Sequence, residues 1–425
     1  MIGVVADDTT GANDIGLMFG NNDYAVKVVT FGESAATGGA ADVLIIDTDS
    51  RLDDPKESYR KVYEATNQLQ AIGCSMYFNK TCSVFRGNIG EELDAMLDAL
   101  GEEFAVISLA FPKNGRQTIQ GMHYVRGILL ENSEFSRDPV HPMKQSNLVD
   151  ILQQQTKRKV VSIALDVVRQ GPIVLRQKME QLREHYNYCI IDAEEQSDLE
   201  IIAEAVHDLK VVCGSSAIAE ELPKFMKIKR VVNPVHGLQL KDSNGVLIIS
   251  GSLTPQTRAQ TAYLIQQGVP SIVLDTRNLF DDSTSQSEIK RVLQQAKPLI
   301  MEGADVLVMA DNSEAVVRET KALGIAKQLE PLTISKMVSA ALAEIAEQLV
   351  NATGLKRIVV AGGDTSGTVS RKLGFTGNYV LKEIETGLPS GLSLGREMLI
   401  VLKSGSFGKP EFLETAVQHL KDLSY

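Results

Sequence analysis

The chain has 425 residues, of which 44% are hydrophobic and 23% charged, and its formal net charge is −11. This length exceeds one ordinary hydrophobic core and predicts about two to three domains, while the composition argues against disordered and fibrous classes. The acidic balance argues against a general affinity for nucleic acid or for acidic membranes.

The N-terminus and the cysteines indicate a compartment. Met1 leads directly into an apolar run without a basic signal-type region, and no apolar run approaches the roughly 18 residues of a membrane-spanning helix. Neither a CxxC motif nor a zinc-ligand spacing occurs among the four cysteines, Cys74, Cys82, Cys189 and Cys213. We therefore predict a cytoplasmic protein with reduced thiols and no membrane contact.

Short β-branched runs alternate with longer segments of helical period, which is typical of βα units around a mainly parallel sheet. The predicted strands are residues 3–6, 43–46, 105–109, 160–164, 188–191, 246–249, 271–274, 304–309, 357–360 and 398–402. A linker-like segment, 232–237, predicts domains at 1–234 and 235–425. We expect an α/β fold of two domains, each a mainly parallel sheet flanked by helices, with the active site in the interdomain cleft.

Glycine and hydroxyl residues follow three predicted strands in the C-terminal half. In open α/β sheets ligands bind at the carboxyl ends of strands, where helix N-termini favour anions. We expect helices at 256–267 after Thr254-Pro255, from Ser366 onward, and at 411–423 after Lys409-Pro410. The turn residues proposed to hold a nucleotide are Ser250, Gly251, Ser252, Gly362, Gly363, Asp364, Thr365, Gly405 and Gly408.

The alternative interpretation of these turns is the loop chemistry common to α/β folds. Three such turns in one half favour a phosphate site over that alternative. Because neither GxxxxGK[ST] nor GxGxxG occurs, the site is neither a P-loop nor a dinucleotide fingerprint.

Acidic and basic residues follow strands in the N-terminal half. Asp7 and Asp8 end the first strand, which suits a general base, hydrogen bonds to substrate hydroxyls, or simple helix caps; Asp14 is interpreted as a surface residue. Several basic and amide side chains suit the binding of a substrate carboxylate, namely Arg51, Lys80, Arg86, Asn88, Asn114 and Arg116. The alternative interpretation of these residues is solvated surface groups.

Other residues carry weaker signals. No histidine lies near Cys82 in the sequence, and nothing in the sequence indicates a lowered pKa, so we predict that Cys82 lines a pocket and is not a nucleophile. The isolated histidines predict no metal site, and segment 138–143 is interpreted as a rigid loop that shapes or covers a pocket.

In order along the chain, the segments 6–14, 47–51, 80–88, 114–116 and 138–143 resemble the four-carbon acid sugar kinase family. The segments 250–255, 361–367 and 403–409 look like the nucleotide-binding signatures of that family. The resemblance spans nearly the whole chain and uses several ordered motifs, and it is therefore specific.

The resemblance implies ATP- and Mg²⁺-dependent phosphorylation of threonate, erythronate or a 3-oxo-tetronate at the terminal 4-hydroxyl. By this likeness the C-terminal domain binds ATP and the N-terminal domain binds the sugar acid. Asp8 is the candidate catalytic base, and Asp364 is its competitor. No metal ligand is assigned, the expected partner is a small-molecule sugar acid, and the choice between a monomer and a homodimer stays open.

One motif departs from the family pattern. Many members have Asp and Thr where this chain has Cys82 and Val84, which removes a carboxylate and a hydroxyl and is expected to alter polyol recognition. Two rival functions are a nucleotide-cofactor dehydrogenase, disfavoured by the missing GxGxxG, and a non-catalytic sugar-acid-binding protein. Release of ADP with a four-carbon acid separates the kinase from both.

Overall fold

Two units of the chain each have their own core, Met1–Pro234 and Val235–Tyr425. The structure, a computed structural model, describes residues 1–34, 41–138, 140–226, 231 and 240–424. The predicted linker and the boundary near residue 235 lie outside the described residues. Within the described residues, no helix is long and apolar enough to cross a membrane.

The first unit is built on one parallel sheet. Its strand order is β2-β3-β1-β4-β11-β5-β10-β9, and every pairing in it is parallel. Three further strands form a small antiparallel sheet in the order β6-β7-β8. The strands are β1 Ile2–Ala6, β2 Val26–Thr30, β3 Val43–Asp47, β4 Met76–Lys80, β5 Ala105–Ser108, β6 Arg116–Ile119, β7 Met122–Val125, β8 Ile128–Leu129, β9 Val160–Ile163, β10 Tyr188–Ile191 and β11 Val211–Gly214.

Helices connect these strands, as parallel pairing requires. They are α1 Thr9–Gly20, α2 Pro55–Ile72, α3 Ile89–Leu100, α4 Leu148–Gln153, α5 Leu165–Val168, α6 Pro172–Leu182, α7 Gln196–Val206 and α8 Ile218–Glu221. Local chemistry fixes α2: the Asp54 side chain caps its N-terminus, Pro55 occupies the first turn, and Gly73 ends it in the left-handed conformation. Helix α3 likewise ends at Gly101, which adopts the left-handed conformation.

The second unit has a mixed sheet in the order β13-β14-β12-β15-β18-β17-β16. The first five strands pair in parallel, whereas β17 is antiparallel to both of its neighbours. The strands are β12 Leu247–Ser250, β13 Ser271–Leu274, β14 Val306–Ala310, β15 Arg357–Ala361, β16 Gly377–Glu385, β17 Leu388–Leu394 and β18 Leu399–Lys403. The helices are α9 Pro255–Gln266, α10 Asp282–Met301, α11 Glu314–Ala326, α12 Pro331–Thr353, α13 Gly363–Lys372 and α14 Phe412–Asp422.

The α/β class with mainly parallel sheets is confirmed. Helices α9 and α14 begin within one residue of their predicted starts, whereas α13 begins earlier than predicted. Helix α13 begins at Gly363, three residues before Ser366, because Gly362 adopts a φ of 123° that lets the chain turn directly from β15 into the helix. Helix α14 begins at Phe412, after the turn that contains Lys409 and Pro410. In both units the strands that precede the polar turns are buried and fix the positions of those turns.

Candidate active site

Polar residues of the first unit collect where four neighbouring strands end. Strands β3, β1, β4 and β11 are adjacent and parallel, so their carboxyl ends lie at one edge of the sheet. The residues at these ends are Asp7 and Asp8, Thr48 to Arg51, Lys80 to Cys82, and Ser215 and Ser216. The two serines after β11 were missed in the sequence, since the short run at 211–214 was not predicted as a strand.

Arg51 joins the two acids that follow β1. Its Nε and Nη2 atoms donate to the two oxygens of Asp7 at 2.7 and 2.8 Å, and Nη1 donates to Asp8 Oδ2 at 2.6 Å. Asp8 also caps α1, because its Oδ1 accepts from the Gly11 amide at 2.7 Å. Burial alone would raise the pKa of Asp8, but Arg51 and Lys80 hold it below its usual value. An ionised, arginine-bound Asp8 is better suited to holding Arg51 than to accepting a proton.

Asp14, interpreted from the sequence as a surface residue, is buried on α1. Ser216 donates to its Oδ2 at 2.5 Å, and the Lys80 ammonium lies 3.9 Å from the same oxygen. Within the described residues its Oδ1 accepts no hydrogen bond. Burial raises the pKa of Asp14 to about 6 despite the opposing charge of Lys80. Asp14 therefore combines the basicity and the unsatisfied oxygen that Asp8 lacks.

Arg86 lies in a polar cluster with Cys82 and Asp138. Its Nη1 donates to Asp138 at 2.5 Å, its Nε donates to Cys82 Sγ at 3.4 Å, and its guanidinium lies 5.2 Å from the centre of the Phe135 ring. Burial would raise the pKa of Cys82, but Arg86 and Arg51 lower it below its usual value. The sequence does not indicate this lowered pKa, because burial and the nearness of Arg51, which is distant along the chain, arise only in the fold. The pocket-lining role of Cys82 stays a prediction.

The segment after Asp138 supports the arginines. The Asp138 carboxylate accepts the amides of Val140 and His141 at 3.0 and 2.8 Å, and His141 Nε2 donates to the Arg51 carbonyl at 2.9 Å. This segment, interpreted from the sequence as a rigid loop beside a pocket, thus contacts both Arg86 and Arg51; Pro139 lies outside the described residues.

Asn88, Asn114 and Arg116 have different surroundings. The Asn88 amide donates to Ser58 Oγ at 2.8 Å and to the Asp53 carbonyl at 2.9 Å, so it braces the loop that carries Arg51. Arg116 begins β6, is almost fully buried, and donates to the Asn114 carbonyl. Burial lowers the pKa of Arg116 to about 10. The positive charge of Arg116 in turn opposes the rise in the pKa of Asp14, which places both residues in the same electrostatic cluster.

Glu92 was not predicted as a site residue, because an acid in the first turn of a helix such as α3 is common and does not by itself indicate function. The side chain is buried and accepts from Ser50 Oγ at 2.7 Å, directly beside Arg51. Burial, followed by the nearby charge of Asp7, raises the pKa of Glu92 to about 8. The group supports the loop from behind as a neutral carboxyl.

Three turns of the second unit meet because β12, β15 and β18 are adjacent and parallel. The fit is close: a Cβ on Gly251 would lie 2.3 Å from Thr365 Oγ1, and a Cβ on Gly405 would lie 2.4 Å from Ser252 Oγ. At Gly362 a Cβ would approach the Ser252 amide nitrogen to 3.3 Å. The predicted turns are thus brought together, and their glycines are required for that approach.

Helix α9 fastens the last of these turns. Thr254 and Thr257 both donate to the Gly405 carbonyl, at 2.5 and 2.9 Å, while Gln260 donates to the carbonyls of Phe407 and Lys409 at 3.0 Å each. Lys403, which belongs to the predicted signature 403–409 but was not predicted as a site residue, lies fully buried below the turn. Its ammonium donates to Thr257 Oγ1 at 2.9 Å and to the carbonyls of Ser404 and Gly405 at 2.8 and 3.2 Å.

The second unit fits a nucleotide better than a protein-made metal cage. A cradle that a Cβ would fill, beside the N-termini of α9 and α13, suits phosphate oxygens. Among the described residues, no group of three or more His, Cys, Asp or Glu side chains could hold a metal ion. Asp364, exposed in the first turn of α13, is the acid at this place.

Comparison with known proteins agrees with this division. Residues 2–222 match the sugar-binding N-terminal domain family, and residues 247–413 match the nucleotide-binding C-terminal domain family. Relatives that are at least 30% identical over nearly the whole chain are named 3-oxo-tetronate kinase. The chain belongs to the four-carbon acid sugar kinase family. This membership confirms the expected enzyme class, a kinase, and the nucleotide-binding domain implies the use of ATP.

Similar proteins and solved structures cover the chain nearly end to end. The 3-oxo-tetronate kinase of Pseudomonas savastanoi pv. phaseolicola is 33% identical over 99% of this chain and 97% of its own, and that of Actinobacillus succinogenes is 30% identical over 98% and 99%. A crystal structure from Salmonella typhimurium LT2 is 28% identical with a TM-score of 0.82 and covers 99% of both chains. One from Haemophilus influenzae is 28% identical with a TM-score of 0.72 and covers 98% of this chain and 100% of its own.

Proposed function

We propose that this kinase transfers the γ-phosphoryl group of ATP to the terminal 4-hydroxyl of a four-carbon sugar acid, giving the 4-phosphate and ADP. The observation that carries the proposal is the meeting of three glycine turns at the ends of β12, β15 and β18, in the segment that matches the nucleotide-binding family. The preferred acceptor is a 3-oxo-tetronate, because curated relatives at about 30% identity bear that name; threonate and erythronate are the other candidates.

The first unit supplies the groups that an anionic polyol requires. Arg51, Lys80, Arg86 and Arg116 are the proposed partners of the substrate carboxylate, since arginine binds carboxylates in a two-pronged manner and lysine acts as a point charge. Asp7 and Asp8 hold Arg51 through three short hydrogen bonds. Asn88 braces the Arg51 loop, and Asn114 holds the buried Arg116 through its carbonyl.

Hydroxyl recognition and proton transfer need an acceptor. Asp14 Oδ1 is buried without a donor in the described structure, and leaving such an oxygen unsatisfied costs about 1–3 kcal/mol. A substrate hydroxyl would satisfy it. We therefore add Asp14 to Asp8 and Asp364 as a candidate base, because its pKa of about 6 is nearest to neutral pH.

The second unit is proposed to hold the phosphates through the backbone of its three turns. The residues that would contact ATP are Ser250, Gly251, Ser252, Gly362, Gly363, Asp364, Thr365, Gly405 and Gly408. Mg²⁺ keeps most of its waters and binds through one or two carboxylates plus phosphates, so Asp364 with the nucleotide fits it. When bound, the ion would neutralise developing phosphate charge.

A coupled assay of ADP release with 3-oxo-tetronates, threonate and erythronate tests this function. We expect ADP release with at least one acid, and ³¹P–¹H correlation should place the phosphorus on the C4 oxygen. Absence of ADP release with every acid would overturn the proposal. A product phosphorylated at C2 or C3 would retain the kinase and reject the 4-phosphate.

A further inference from the structure

Lys403 occupies an unusual position for a lysine. It ends β18, its side chain is fully buried, and its ammonium points to oxygen atoms of Thr257, Ser404 and Gly405. Lysine is almost never fully buried unless it is paired, because removing an ammonium from water is costly. Within the described residues, no carboxylate lies within 4 Å of this ammonium. The charge is solvated only by neutral oxygens.

Lys403 also fixes the orientation of the turn above it. The Gly405 carbonyl accepts three hydrogen bonds, from Lys403, Thr254 and Thr257. Because a trans peptide directs its C=O and N–H groups to opposite sides, the N–H of Ser406 points away from Lys403. The lysine therefore holds the carbonyl side of this peptide and fixes the direction of its N–H group.

We propose that Lys403 is the positioning residue of the nucleotide site. It holds the 403–409 turn through its three hydrogen bonds, and the negative charge of the bound phosphates balances its buried positive charge. The proposal rests on the proposed function, in that the anion is taken to be a nucleotide. It extends that function, because it predicts that nucleotide binding is linked to proton uptake.

Proton linkage follows from the surroundings of Lys403. Burial lowers its pKa to about 7, and the charge of Glu385 at the end of β16 opposes this shift only weakly. Helix α9 presents neutral groups here, Thr257 and Gln260. A polyphosphate nearby favours the ammonium form and so raises the pKa, with the result that nucleotide binding above pH 7 takes up a proton.

Calorimetric titration of the whole protein with preformed MgADP tests this inference. Heats measured at pH 8.0 in HEPES, Tricine and Tris, which differ in ionisation enthalpy, give the protons exchanged per nucleotide. At this pH the ADP phosphates are already deprotonated, so uptake reports on the protein. We expect uptake of close to one proton at pH 8.0 and little at pH 6.0, with affinity falling by up to about tenfold per pH unit above 7.

Variants assign the proton to Lys403. Lys403→Met should abolish the uptake and weaken MgADP binding at pH 7, and Lys403→Arg, charged at every pH, should bind without uptake and without the pH dependence. Lys297→Met removes an exposed positive charge from helix α10, outside the three turns, and should keep the uptake.

Two results would overturn the inference. The first is MgADP binding to the wild-type protein without proton uptake at pH 8.0, a measurement that does not depend on any variant folding. The second is unchanged uptake in a folded Lys403→Met protein. Failure of MgADP to bind at all would instead reject the proposed function.

Discussion

Asp8 follows β1, where the sequence suggests a base, yet Arg51 and the Gly11 amide occupy its oxygens. If Asp8 mainly holds Arg51, Asp8→Asn should weaken binding of the sugar acid and leave nucleotide binding unchanged. We expect the KM for the acid to rise roughly tenfold or more, since a charged hydrogen bond to a substrate-binding arginine is lost, while the KM for ATP stays constant.

Steady-state kinetics with each substrate varied in turn measure this split. Asp14→Asn and Asp364→Asn serve as matched changes of the same chemistry, and the base among the three should show its loss in kcat. A fall of several orders of magnitude in kcat for Asp8→Asn, with both KM values unchanged, would identify Asp8 as the base and contradict the prediction.

Glu92 predicts a pH dependence of stability. Its pKa in the folded protein, about 8, exceeds the usual 4.5 of an unfolded glutamate. The folded state therefore binds more protons than the unfolded state between these two pH values. The stabilisation that protonated Glu92 contributes is fully present below about pH 4.5 and is lost as the pH rises through 8. Glu92→Gln keeps an oxygen for Ser50 and removes the titration.

Thermal unfolding from pH 5.5 to 9 measures the effect of Glu92→Gln. Its Tm should exceed that of wild type by a difference that is smallest at pH 5.5, widens by at least a few degrees up to pH 8 and then stays constant, because about 1 kcal/mol corresponds to roughly 2–4 °C for a domain of this size. The exposed Glu103→Gln provides the control and should follow wild type. A constant difference at every pH would contradict the assignment to Glu92.

At the scale of elements, the sequence predicted strands correctly where an apolar run belongs to the parallel part of a sheet. Strands β10 and β13 were predicted at their observed bounds, and the other predicted strands differ at their ends by one or two residues. Strand β4 was missed because buried Asn79 and Lys80 interrupt its apolar pattern. Strand β17 contains Pro389 and Gly391, which usually argue against a strand interior.

The candidate site also has parts that the sequence predicts and parts that it does not. Glycine turns are predictable, because close backbone approach needs glycine in the sequence itself. The surroundings of Asp14, Cys82 and Lys403 are not, because Ser216, Arg51 and Thr257 reach them from 31 or more residues away along the chain. A pKa depends on burial and on charges that only the fold brings near.

Gly405 tests the meeting of the three turns. Gly405→Ala would place a Cβ 2.4 Å from Ser252 Oγ and 2.9 Å from the Thr254 side chain. These side chains must move, and Thr254 then loses its hydrogen bond to the Gly405 carbonyl. We expect the KM for ATP to rise by roughly tenfold or more, with the KM for the acid unchanged. Gly20→Ala, where a Cβ meets nothing within 4 Å, is the matched control and should behave as wild type. An unaltered KM for ATP in Gly405→Ala would show that this turn does not contact the nucleotide.

At the scale of the whole molecule, the two units carry different chemistry. The cationic groups proposed to bind the acid follow strands of the first unit, and the glycine turns follow strands of the second. A net charge of −11 gives anionic substrates no general attraction to this protein, so these local groups must supply it.

Hydrogen–deuterium exchange on the full-length protein tests the assignment of one ligand to each unit. MgADP should protect peptides covering 250–256, 362–368 and 403–409, because phosphates engage the amides of these turns. The four-carbon acid that supports ADP release should instead protect 7–14, 47–51 and 80–88. Threitol, which has a similar carbon chain and hydroxyls but no carboxylate, is the control and should give little protection, since the arginines and Lys80 then lack an anion to bind. Protection of the glycine turns by the acid, or of the first-unit segments by MgADP, would contradict the assignment of one ligand to each unit. Equal protection by threitol would show that hydroxyl contacts alone hold the substrate.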